Sequence, residues 1–180
     1  MALDSLRSWL GLGTALADPS VDTSASPALR ELVDTLDHLE PSRARHLARF
    51  AYLLGRIARA DQHVSPDETR AMEALLVREG SLSPDQAMVV GGLANASHLM
   101  FGGTSDFQVA QEFAASATYE EKLTLIRCLF RVASIDASIS IAEESEIHRI
   151  ATHFRILPHD LTALRVAHAQ ALPGLARRHR

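Results

Sequence analysis

A single cysteine, Cys128, is the only thiol in this chain of 180 residues. One cysteine excludes an internal disulfide and a cysteine-based zinc site. It sits in the apolar run LIRCLFRVA, where it reads as a small buried hydrophobe rather than a reactive thiol. Aromatic residues are scarce, at 5%. Long apolar runs are lacking too. The longest uncharged stretch, Gln86 to Ser105, is interrupted by Asn95, Ser97, His98 and four glycines, so no membrane span is expected. There is no excess of positive charge: the net charge is -4 and the pI near 6.1, which excludes nucleic acid as the expected partner. The start, MALDSLRSWLGLG, carries Asp4 and Arg7 and has no long apolar core, so no leader is expected. The absence of a leader and of a membrane span makes the cytoplasm the expected compartment. HExxH, GxSxG, phosphate-loop and dinucleotide motifs are all missing, which points away from an enzyme of those classes.

What the chain does have is helix. Apolar residues, 47% of the total, recur at spacings of three and four rather than two. Four stretches spell capping boxes: Ser65-Pro66-Asp67-Glu68, Ser83-Pro84-Asp85-Gln86, Thr118-Tyr119-Glu120-Glu121 and Ser140-Ile141-Ala142-Glu143. Pro41 and Pro158 suit the first turn of two more helices. The expected class is all-α, with about seven to eight helices at 28–39, 42–60, 66–79, 84–96, 106–116, 119–135, 141–154 and 159–171. Residues 1–27 form a short helix and a linker rich in Ala, Ser, Thr, Asp and Pro, 28–172 the helical body, and 173–180 a basic tail. In the short helix Leu3, Leu6 and Leu10 share a face with Trp9 beside them. That face suits a flap docked on the core or on a second copy in a homodimer, and a weak membrane contact is the other reading. Gly91-Gly92 and Gly102-Gly103 frame the uncharged middle stretch, expected as a close helix crossing and a loop.

The chain repeats itself. LGRIARADQHVSPDE, Leu54 to Glu68, aligns with LFRVASIDASISIAE, Leu129 to Glu143, at a constant offset of 75 residues. Leu, Arg, Ala, Asp, Ser and Glu are identical, six positions in fifteen. A repeat with matching helix signals predicts a duplicated helix-loop-helix and two pseudo-symmetric halves. Leu47, Ala51, Leu54 and Ala58 form an apolar stripe that Asp61 continues, and Ile126, Leu129 and Ala133 form one that Asp136 continues. Glu68 opens a stripe with Met72 and Leu75, and Glu143 opens one with Ile147, Ile150 and Phe154. A carboxylate turned to a core needs a partner. Three fit: the backbone N–H of a cap, the repeated arginines Arg56 and Arg131, or a hard cation, Ca²⁺ or Mg²⁺. The loop is not an EF-hand, because it lacks alternating oxygen ligands and the glycine at position six. His63 is unrepeated, which weakens it as a ligand, and His148 and His153 are five apart and off a common face.

A helix ending in A-x-A-D, a short loop and a helix with an early Glu, duplicated, resembles the TerB-like family of tellurite-resistance proteins and the N-terminal domain of the DjlA-type membrane co-chaperone. ARADQHVSPDE is the closer copy and ASIDASISIAE the second. The resemblance spans roughly residues 28–170. It implies an all-α fold with a pseudo-twofold axis and metal held by Asp61, Glu68, Asp136 and Glu143, with Asp67 and Glu144 as neighbours. Where the family places glycine after the aspartate, this chain has Gln62 and Ala137. The function expected is a non-enzymatic stress-response module that binds a protein partner. The alternatives are a metal-dependent enzyme using the same acids and a membrane-associated, co-chaperone-like regulatory domain.

Overall fold

A computed structural model describes residues 8–11, 34, 36–58, 60, 65–100, 103–135 and 138–168, and for 93–100, 103 and 104 the backbone alone. Seven helices follow one another among these residues: α1 Pro41–Ala58, α2 Pro66–Gly80, α3 Pro84–Met100, α4 Gly103–Ser116, α5 Tyr119–Ala133, α6 Ile141–His153 and α7 Pro158–Ala167. None of the described residues forms a strand. No helix among them is long and apolar enough to cross a membrane.

The caps explain where the helices begin. In α2, α5 and α6 the cap residues Ser65, Thr118 and Ser140 are extended, and each hydroxyl accepts the N–H of the glutamate three residues on. At α3 the Ser83 and Gln86 pair makes the same reciprocal bonds, at 3.0 and 3.2 Å. Pro41 and Pro158 stand at first positions, where a missing N–H costs nothing. Several boundaries differ from the sequence expectation. Helix α3 runs on to Met100 and α4 starts at Gly103, so that glycine opens a helix instead of sitting in a loop. Neither junction carries a strong local stop, and a glycine at a helix start is mildly tolerated. The helices expected to reach 60 and 135 stop at Ala58 and Ala133. Of the segment 28–39, the described residues Asp34, Leu36 and Asp37 are helical and Leu36 is buried.

Helix α1 is the axis of the body. From Leu47 to Ala58 its only charged side chains are Arg49 and Arg56, and every residue but Arg56 is buried. A helix that is apolar nearly all round must be enclosed, and α1 touches each of α2 to α6. Helix α2 packs on α3 and α5, α4 on α6, and α5 on α6 and α7. Phe113 of α4 anchors the middle, 5.5 Å from the ring of Phe154 and 5.1 Å from that of His46. Cys128 lies in this core, 1% exposed, and burial pushes its thiol up to about 12. A thiol held protonated there is packing material rather than a nucleophile.

The same core takes in the helical residues Ser8–Leu10 and the turn at Gly11 that follows them. Trp9 and Leu10 are buried in the cluster that includes Leu47, Phe50 and Phe113. The turn is closed by the Gly11 N–H donating to the Ser8 carbonyl at 3.1 Å. Leu3 and Leu6, expected to share that face, lie outside the described residues.

Candidate functional site

The duplicated glutamates sit where their capping role puts them. Glu68 Oε2 accepts the Ser65 N–H at 2.7 Å, and Ser65 Oγ accepts the Glu68 N–H at 3.1 Å. Glu143 and Ser140 repeat both distances, 2.7 and 3.1 Å. Both glutamates are buried, 6% and 4% exposed. The backbone partner therefore holds for both. Each glutamate makes a further interaction besides its cap, and a carboxylate offers about four acceptor positions. Asp61 and Asp136, the other half of the expected constellation, lie outside the described residues, as does His63. The neighbours point elsewhere. Asp67 is exposed and pairs with Arg70 at 2.7 Å, and Glu144 binds Arg165 at 2.6 Å. His148 is exposed, while His153 packs its ring edge-on to Phe107 at 5.3 Å.

The arginine reading resolves differently in the two halves. Arg56, largely buried, pairs with Glu146 of α6 and donates from Nη1 to the Asp106 carbonyl of α4 at 3.2 Å. Tyr52, one turn earlier, donates its hydroxyl to Asp106 Oδ1 at 2.7 Å. Glu146 also pairs with Arg149. Glu146 Oε1 is fully buried with no aligned hydrogen bond, so Arg56 Nε compensates it as a charge rather than as a donor. Burial lowers the Arg56 guanidinium from its ordinary value, and Asp106 opposes that shift. Its sequence partner, Arg131, is exposed, with no ion pair among the described residues.

Arg49, Tyr52 and Arg56 thus form a polar seam along α1, spaced three and four apart. Arg49, 5% exposed, extends it to α4 through Glu112 at 3.2 Å and Ser116 at 3.2 Å. The sequence reading did not single out Arg49, Tyr52, Asp106 or Glu146. A signal was available: Glu146 lies three residues after Glu143, on the same core-facing row as Ile147 and Ile150.

A cavity of about 370 Å³ opens beside the other end of α1, lined in part by Arg43, His46, Phe50, Glu79 and Glu121. Arg43 closes the end of α2, donating to the Gly80 and Ser81 carbonyls at 2.9 and 3.0 Å. Burial lowers the His46 imidazole from its ordinary value, against the opposing charge of Glu121. No group of three or more His, Cys, Asp or Glu among the described residues is placed to hold a metal ion.

The fold and these sites define a helical bundle whose buried polar groups serve helix caps and one multi-helix ion-pair network. The chain matches the family model described as tellurite resistance protein TerB over residues 48–166, about two thirds of its length, and it belongs to that family. The match runs from within α1 to within α7. No curated protein and no solved structure matches the chain.

Proposed function

We propose that this TerB-family chain is a non-enzymatic, cytoplasmic stress-response module that binds a protein partner. In this reading its two helix-loop-helix copies form pseudo-symmetric halves that hold a divalent cation, Ca²⁺ or Mg²⁺. The ligands would be Asp61, Glu68, Asp136 and Glu143. One observation carries the cation reading: two buried carboxylates, 75 residues apart in sequence, have matched geometry at the starts of α2 and α6. Oxygen donors of this hardness suit Ca²⁺ and Mg²⁺ rather than softer metals. The family description names tellurite resistance, and that activity is part of the proposal only.

The test uses glutamine. Gln retains the reciprocal bond of a capping box but carries no charge. Glu68→Gln with Glu143→Gln should fold with a thermal midpoint close to that of the parent. Adding Ca²⁺ or Mg²⁺ should raise the parent midpoint, by the equivalent of about 2.7 kcal/mol at a hundredfold excess over Kd, and leave the double variant unmoved. A parent that neither binds the ions by calorimetry nor gains stability from them ends the cation reading.

A further inference from the structure

Three polar groups lining the cavity beside α1 have no bonding partner among the described residues. The imidazole of His46 is half-buried against the rings of Phe50 and Phe113, at 6.2 and 5.1 Å, and neither of its nitrogens makes a hydrogen bond there. The Thr124 hydroxyl is unbonded too, although a helical threonine can bond back to the carbonyl four residues earlier, as Thr152 and Thr162 do at 2.9 and 2.7 Å. Glu121 commits only Oε2 to its cap, accepting the Thr118 N–H at 2.7 Å and hydroxyl at 2.8 Å, which leaves Oε1 unbonded. The charges around these groups favour a cation. Glu79 and Glu121 line the cavity with a single arginine, Arg43, whose Nη2 is committed to the Gly80 and Ser81 carbonyls. Those carbonyls lie at the C-terminal end of α2, which itself favours positive charge. Burial keeps His46 below its ordinary value, so near neutral pH its imidazole is uncharged and presents a lone pair. The volume of about 370 Å³ is that of a small ligand pocket and far exceeds the roughly 30 Å³ share of one water. A metal ion does not suit it, since no three His, Cys, Asp or Glu among the described residues are placed to hold one.

We propose that this cavity binds a small primary ammonium ion, with Glu121 Oε1 as its counter-charge and the Thr124 hydroxyl and His46 imidazole as its other acceptors. A primary ammonium has three N–H donors and no acceptor, so it donates one bond to each. The buried ring of Phe50 walls the same space and suits the cation or its alkyl chain. Two kinds of molecule carry this group, an alkylamine and an ω-amino acid. The second adds a carboxylate for the nitrogens of Arg43 that the α2 carbonyls leave free.

Histidine C–H resonances report the cavity by NMR, and His46→Phe identifies the one that belongs to His46. In the full-length chain, at constant ionic strength and about pH 7.5, where the amine is charged, n-butylamine should shift that resonance saturably with a Kd on the order of 1 mM. The alcohol n-butanol, of the same length without the charge, should bind roughly tenfold more weakly. Glu121→Gln keeps the capping box and removes the charge, and should weaken n-butylamine binding roughly tenfold. Thr124→Val keeps the shape and should weaken it roughly threefold, which carries the test if Glu121→Gln does not fold. Tighter binding of γ-aminobutyrate than of n-butylamine assigns the site to an amino acid, and the reverse order assigns it to an alkylamine. The proposal is overturned if n-butylamine gives no saturable shift, if n-butanol matches it, or if the folded variants bind it as the parent does.

Discussion

The two copies of the repeat agree at their caps and part company at their arginines. Ser65 with Glu68 and Ser140 with Glu143 match in both hydrogen-bond distances, and both glutamates are buried. Arg56 and Arg131 occupy matched positions, yet one is the hub of an ion-pair network and the other faces water. The difference lies in the surroundings. Next to Arg56 stand Asp106 of α4 and Glu146 of α6, and position 71, which matches 146 in the first copy, is an alanine. A cap is complete within four residues, so duplication copies it whole. An ion pair between helices needs residues that the duplication does not carry.

The sharpest way to break this comparison is to remove the two arginines in turn. Arg56→Met leaves Glu146 buried without its main counter-charge and should lower unfolding free energy by about 3–5 kcal/mol. Arg131→Met, at an exposed site, should stay within about 0.5 kcal/mol. Urea unfolding of the two variants measures both, and equal losses would show that the copies are equivalent after all. Adding Glu146→Leu to Arg56→Met should recover part of the loss, because the stranded charge is then gone.

The caps make the opposite prediction. Ser65→Ala and Ser140→Ala should each cost about 1 kcal/mol, and the two values should agree closely. A marked difference would mean that one cap carries an additional role at its loop.

The smallest effect is a pH difference at another matched pair. His46 and Glu121 are also 75 residues apart, and both line the cavity beside α1. Burial holds the folded His46 below its ordinary value of 6.5. The unfolded chain therefore takes up that proton first, and stability is complete above about 6.5 and declines as the pH falls below it. The Thr118 N–H holds folded Glu121 below its ordinary 4.5, so its contribution persists above 4.5 and is lost as pH falls through the folded value. The urea midpoint of the parent should decline between pH 7 and 5.5 more than that of His46→Phe, a variant that keeps a ring against Phe50 and Phe113. Parallel profiles for the two chains would remove His46 from the pH response.

Much of the architecture was legible because its signals are local. All four capping boxes close as written, both first-turn prolines start helices, and the stripes through Leu54, Leu129, Met72 and Ile147 face the core. The α3–α4 junction was misplaced because nothing within a few residues marks where those helices stop. Glu68 and Glu143 close the caps that the repeat predicts, and Asp61 and Asp136 fall outside the described residues.

By itself the sequence determined the helical class, the repeat and the caps, since hydrophobic periodicity and an N–H three residues away are properties of a short segment. Only the tertiary structure decided which arginine is buried, which acids answer it, and that Trp9 docks against Arg49. Those choices join residues from 40 to 90 positions apart, such as Trp9 with Arg49 and Arg56 with Glu146. Their energy comes from the desolvation that packing imposes, which no segment can impose on itself.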